Sequence, residues 1–268
     1  MNVSTIISTA PQGFSFNLPF VLILLALIAI TLYVLRFLGM LNPGNNQKYS
    51  AKNMQRIKSS SLEGKNFIFL GSSVTKGFEA RGESFVEMIA VRNGTHYVKE
   101  AVTGTTLIDK NKKSYISRLK LLDKNTPCDI FVCQLSTNDA TFKAPIGEIG
   151  NSYDDNFDTM TVAGAIEYVI SYVKKTWNCP IVFYTNPQYD SPAYQTMVEV
   201  LLVIAKKWKV GVIDLWHNKE INEMSNDKTH HLMNDGIHPT KKGYLEWTPI
   251  FEKALAEVLS GREITSES

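Results

Sequence analysis

The chain has 268 residues, 44% of them hydrophobic, which is enough for one domain with a substantial core plus a membrane element. Its 28 basic and 26 acidic residues leave a formal charge of +2, which argues against a nucleic-acid-binding surface spread over the molecule. Three cysteines, Cys128, Cys133 and Cys179, cannot all pair within one chain; each lies in or beside an apolar run, so they read as buried reduced thiols.

In chain order, residues 1–17 form a short uncharged tail, and residues 18–41 read as a transmembrane helix. The run Leu18 to Leu35 is broken only by Pro19 and Thr31, and Arg36 can snorkel at the boundary of a ~30 Å hydrocarbon layer. A cleaved signal peptide would show a basic start and a small-residue cleavage site, and the segment has neither. Five basic residues follow the apolar run (Arg36, Lys48, Lys52, Arg56, Lys58) and none precedes it, so the positive-inside rule leans to a cytoplasmic C-terminal side, with an extracellular domain as the alternative. Residues 42–62, opened by Asn-Pro-Gly-Asn-Asn and nearly closed by Ser-Ser-Ser, read as a basic linker near the bilayer.

From residue 63 to 261 strand-like and helix-like stretches alternate, the pattern of a parallel sheet with helices on both faces. Strands are expected at Phe67–Leu70, His96–Glu100, Asp129–Gln134, Ile181–Tyr184 and Val210–Asp214. Helices are expected at Ser84–Arg92, Ser114–Leu122, Thr161–Trp177 and Ala193–Lys207. In the longest, Val162, Ile166, Val169, Ile170 and Val173 recur at helical spacing and mark a core face. A last helix is expected from Thr248 as N-cap and Pro249 at its first position to Ser260, with Gly261 stopping it and residues 262–268 as a tail.

The first expected strand delivers Ser73 into a small-residue turn, Gly71-Ser72-Ser73-Val74-Thr75, just past its carboxyl end, where open α/β sheets hold ligands. Serine is inert at its own pKa and requires a base. Asn234-Asp235-Gly236-Ile237-His238-Pro239-Thr240 supplies one: Asp235 can hold one side of the His238 ring while the opposite nitrogen faces Ser73. Competing readings are weaker. Lys76 precedes Gly77, so the turn is not a phosphate loop, and Thr75 replaces the second glycine of a G-x-S-x-G elbow. His230, His231, Asp235 and His238 are metal-binding types, but Asp235 and His238 already have a role; His96 and His217 read as surface or locally bonded histidines.

Taken in order, Ser73 in GSSVTKG, Gly104 in AVTGTT, Asn138 in STND and Asp235/His238 in DGIHPT resemble the four blocks of the SGNH or GDSL hydrolases, over about residues 66–259. Two positions depart from the family pattern: Ser72 stands where Asp is common, and Ser136 where Gly is common. The resemblance implies a three-layer α/β/α fold with a mainly parallel, five-stranded, flavodoxin-like sheet. It implies Ser73, Asp235 and His238 as catalytic residues and Ser73, Gly104 and Asn138 as the oxyanion hole, with no metal or organic cofactor. The implied activity is hydrolysis of a carboxylic ester of a carbohydrate, lipid or small molecule. An acyltransferase using the same serine and a silent binding module on the same fold are the alternatives, the last disfavoured because no triad member is missing. Lys143 to Phe157 and Asn186 to Tyr194 read as rim loops, and their Tyr153, Asp154, Asp155, Tyr189 and Asp190 suit carbohydrate or small polar esters.

Overall fold

The computed structural model describes residues 18–37, 39–153 and 156–264. An apolar helix, α1 (Leu18–Phe37), comes first, with no residue buried. The domain follows as β1 (Asn66–Gly71), α2 (Ser73–Lys76), α3 (Phe85–Asn93), β2 (His96–Ala101), α4 (Tyr115–Leu119), β3 (Ile130–Gln134) and α5 (Thr137–Thr141). It continues with α6 (Val162–Thr176), β4 (Ile181–Tyr184), α7 (Pro192–Trp208), β5 (Gly211–Ile213), α8 (Lys219–Asn226) and α9 (Lys241–Leu259).

The strands pair in the order β2-β1-β3-β4-β5, every neighbouring pair parallel. Both faces of the sheet are covered, and the twofold alternation of a strand sorts the side chains between them. Ile68, Leu70, Phe131 and Cys133 pack with Ile116, Ile166, Val169 and Leu201 from α4, α6 and α7. Phe67, Phe69, Val132 and Tyr184 point the other way, into Phe85, Met88, Trp247 and Phe251 from α3 and α9. The Phe85 and Phe251 rings stack at 4.0 Å across that layer.

The C-terminal helix begins earlier than its sequence suggests. Thr240 is the N-cap, its hydroxyl accepting from the Gly243 N–H, and Pro249 lies inside the helix. A proline there removes a backbone bond and costs ~3 kcal/mol. The preceding two turns bury Tyr244 and Trp247, and two such side chains at ~1.5–3 kcal/mol each offset that cost.

The segment expected as a linker lies folded against the domain. Pro43–Asn45, Gln47–Tyr49 and Ala51–Asn53 form three 3-10 turns, the first two capped by the side chains of Asn42 and Asn46. Ser50 and the Ala51 N–H both bond the Glu83 carboxylate, which also meets Lys241 Nζ at 2.6 Å. Ala51 and Leu62 are buried. Asparagine caps and a shared carboxylate give this apolar-poor stretch its packing, which composition does not reveal.

Candidate active site

In this strand order the chain leaves β1 for β2 on one side and reaches β3 on the other, so a crevice opens between the carboxyl ends of β1 and β3. Ser73, after β1, and Asn138, after β3, flank it. Close packing shapes the serine's turn: a Cβ on Gly71 would fall on the Thr75 hydroxyl, so only glycine lets the chain fold back there. The Gln134 side-chain carbonyl gathers the turn by accepting from the Ser72 N–H at 2.9 Å and the Thr75 hydroxyl at 2.8 Å. It thereby organises the turn around Ser72. Beneath it the buried Arg118 guanidinium donates to the carbonyls of Gly71 (2.8 Å) and Glu100 (2.9 Å) and to the Thr105 hydroxyl (3.2 Å), tying β1, β2 and the Gly104 loop together.

The histidine comes from the loop before α9, closed by a Met233–Pro239 bridge and by the Asn234 N–H donating to the His238 carbonyl at 2.9 Å. One Asp235 oxygen accepts the backbone N–H groups of Ile237 and His238, both at 2.7 Å. The other lies 2.8 Å from His238 Nδ1, and His238 Nε2 lies 2.8 Å from Ser73 Oγ. Burial pushes the Asp235 carboxyl pKa up, but its hydrogen bond with His238 and that ring's charge outweigh this and hold it below the usual range. Burial likewise pushes the His238 pKa down, while the bond and charge of Asp235, then the charge of Glu79, lift it above the ordinary imidazole value.

Glu79 is a second carboxylate at this ring. Its side chain is 3% exposed, and Oε1 stands 3.8 Å from His238 Nδ1. Its other oxygen accepts from Asn234 Nδ2 at 2.6 Å. Burial, then the nearby charge of Asp235, raises its pKa.

Gly104 sits exposed at the loop's tip with φ +77°, a conformation natural to glycine. Its neighbour Thr105 presents a carbonyl to Asn138 Nδ2 at 3.0 Å and to Ser136 Oγ at 3.3 Å, so Ser136 stitches the β3 end to this loop. The buried Asp139 carboxylate accepts the Leu107 and Ile108 N–H groups at 2.7 and 3.0 Å, which locks α5 to the same loop. Burial raises its pKa against those bonds.

Ser73, His238 and Asp235 are thus in contact, with Gly104 and Asn138 joined through Thr105. Elsewhere, His230 faces Asp227 at 3.5 Å, and His217 bonds Asp214 at 2.7 Å. Of the two expected rim loops, Asn186 to Tyr194 borders the site, since Asn186 Nδ2 donates to the Ile237 carbonyl at 2.8 Å. Part of the other runs elsewhere: Tyr153 packs edge-on to Trp208 at 4.8 Å and bonds the Lys207 carbonyl, at the end of α7. Asp154 and Asp155 lie outside the described residues. Sequence reasoning missed Glu79, Gln134 and Arg118; for Glu79 the available signal was an acid six residues after the serine, and for the other two there was none.

A model of the GDSL-like lipase/acylhydrolase family matches residues 69–245. No curated protein matches the chain. Among solved structures, a possible lipase from Chitinophaga pinensis is 19% identical, superposes with a TM-score of 0.56, and covers 73% of this chain and 98% of its own. A GDSL-like lipase structure from Bacteroides ovatus is 16% identical at TM-score 0.54, covering 71% and 97%. The acetyl xylan esterase AlAXEase is 17% identical at TM-score 0.52, covering 70% and 98%. At these identities the likeness is one of fold.

Proposed function

Since the chain belongs to the GDSL-like lipase/acylhydrolase family, we propose that it is a membrane-anchored serine esterase acting through Ser73, His238 and Asp235. The observation that carries this reading is the unbroken line from Asp235 Oδ2 to His238 Nδ1 and from His238 Nε2 to Ser73 Oγ, each link 2.8 Å. That is the orienter, base and nucleophile relation of a triad.

In the first half-reaction His238 Nε2 takes the hydroxyl proton as Ser73 Oγ attacks the ester carbonyl carbon. The resulting oxyanion faces the backbone N–H groups of Ser73 and Gly104 and the second N–H of the Asn138 amide, whose first is spent on Thr105. Loss of one such donor typically costs ~10²–10³ in rate. Collapse breaks the ester C–O bond, and the imidazolium returns its proton to the departing alkoxide, leaving an acyl-serine. Water, deprotonated by His238, then attacks that acyl group and restores Ser73, releasing the acid. Asp235 keeps Nδ1 as the protonated nitrogen and stabilises the imidazolium formed at each stage. A carbohydrate, lipid or small-molecule ester fits this chemistry, and the acetyl xylan esterase of the same fold keeps acetylated sugars among the candidates.

The anchor is α1, 20 residues containing an 18-residue stretch of mean hydropathy 2.8, with none buried, which spans ~30 Å at 1.5 Å per residue. The five basic residues that follow its apolar run favour a cytoplasmic domain.

The test of the triad is labelling with a fluorophosphonate. The wild-type chain is expected to form one adduct, at Ser73, and Ser73→Ala to lose both labelling and ester turnover; persistent labelling at another serine would overturn the assignment.

A further inference from the structure

The end of α1 is built into the wall of the candidate site. Its Phe37 ring packs edge-on to Phe78 at 6.0 Å, and Phe78 packs edge-on to the His238 ring at 5.9 Å. Arg36, in the last turn, presents its carbonyl to Asn234 Nδ2 at 3.4 Å, and Asn234 is the residue before Asp235. The chain leaving the helix stays on the same spot. Asn42 Nδ2 donates to the Met233 carbonyl (3.3 Å) and to Asn234 Oδ1 (3.2 Å). Asn45 Nδ2 donates to the carbonyls of Gly39 (2.6 Å) and Glu79 (2.7 Å), and Asn45 Oδ1 accepts from the Lys241 N–H (2.9 Å).

These contacts remove the freedom that a tether would give. A flexible linker would let the domain wander tens of ångströms from its anchor, but here one phenyl ring lies between the last residue of the apolar helix and the imidazole beside Ser73. A bilayer's polar layer is ~5–8 Å deep on each side, the difference between its ~40–45 Å total and its ~30 Å hydrocarbon core. With α1 spanning, Ser73 is held close to that layer, two ring contacts of about 6 Å and one hydrogen bond away from the end of the helix. The adjoining Met40 and Leu41 are exposed apolar side chains, suited to the same boundary.

We propose that the ester hydrolysed at Ser73 is borne by an amphiphile resident in the bilayer, and is delivered laterally at the membrane surface to a site that α1 holds at headgroup depth. This rests on the reading of Ser73 as nucleophile and α1 as span. It also places the recognition of substrate partly in the membrane, which confines and orients the amphiphile before it meets His238.

The experiment uses the full chain in phosphatidylcholine vesicles. Ser73 is labelled with a dansyl fluorophosphonate, and quenching is read from lipids carrying a nitroxide on the headgroup; strong quenching is expected. A Gly/Ser insertion of about a dozen residues after Phe37, with an r.m.s. reach of ~20 Å, should abolish it. In parallel, kcat/KM is measured for a bilayer-partitioned ester, 4-nitrophenyl palmitate, and a soluble one, 4-nitrophenyl acetate. The palmitate-to-acetate ratio should fall about tenfold or more on insertion as the local concentration advantage is lost. An unquenched label on the unmodified chain, or a ratio untouched by the insertion, overturns this inference while leaving the esterase reading standing. Failure of Ser73 to label at all overturns both.

Discussion

Replacing Glu79 by Gln tests whether this buried carboxylate tunes the base. Gln keeps the volume and the acceptor that Asn234 Nδ2 uses, so the change is chiefly one of charge. At 3.8 Å from His238 Nδ1, a full negative charge is worth ~1 kcal/mol through water and ~4 kcal/mol at an effective dielectric of 20. Glu79 and His238 are largely buried while Asp235 beside them is 47% exposed, so the interaction lies between these two limits. The direction follows from which form works: His238 must be neutral to accept the serine proton, and its raised pKa keeps it protonated to higher pH. Activity in the wild type should therefore fall, with decreasing pH, at a limb above the ordinary imidazole value of ~6.5. Glu79→Gln removes part of what lifts that pKa, so the variant should hold its activity to lower pH. The assay is the pH profile of kcat/KM for a soluble chromogenic ester, which reports the free enzyme. A limb that stays in place would mean that Glu79 is uncharged when His238 titrates, and a limb that moves upward would refute the electrostatic reasoning altogether.

The parts of this molecule that follow local rules were legible in its sequence. The inner strands β1, β3 and β4 announced themselves as β-prone apolar runs, because strands covered on both faces carry apolar side chains at nearly every position, whereas the edge strand β2, His-Tyr-Val-Lys-Glu-Ala, showed only its β-prone Tyr97 and Val98. Ser73, Asp235 and His238 could be named because two of them share one loop and the third ends a strand. What escaped was set by contacts across long separations. Gln134 meets Ser72 from 62 residues away, and Arg118 reaches Gly71 from 47, and neither position looks different in sequence from an ordinary strand or helix residue. The start of α9 was misplaced because proline at 249 satisfies a first-turn rule that burial of Tyr244 and Trp247 overrides. The polar stretch 42–53 looked like a tether because asparagines that cap turns and asparagines that coat a loop have the same composition.

Three further outcomes are expected. Asp235→Asn should fold and lose ~10²–10⁴ of kcat, since the substitution disturbs the imidazole tautomer and removes the charge facing the imidazolium; an unaltered rate would show that another group orients His238. Gln134→Leu strands the buried Ser72 N–H, while the Thr75 hydroxyl keeps the Tyr184 hydroxyl at 2.6 Å, and should cost ~1–3 kcal/mol in thermal or urea unfolding. It should also slow fluorophosphonate labelling, and a variant of unchanged stability and labelling rate would show that the turn holds itself. The side of the membrane can be read from Cys128 and Cys179, whose sulfurs approach to 3.4 Å just before β3 and β4. A disulfide needs ~2.05 Å, so closing the pair draws the sulfurs together, with the two electrons and two protons passing to a disulfide oxidant. Where such an oxidant prevails the pair should close, and in a reducing cytoplasm it should not. With the domain on the cytoplasmic side, alkylation under denaturing conditions, before any reductant, should therefore mark all three cysteines of the full-length chain. A single mark, on Cys133, would put the pair in an oxidising compartment and overturn the orientation drawn from Arg36 and the lysines that follow it.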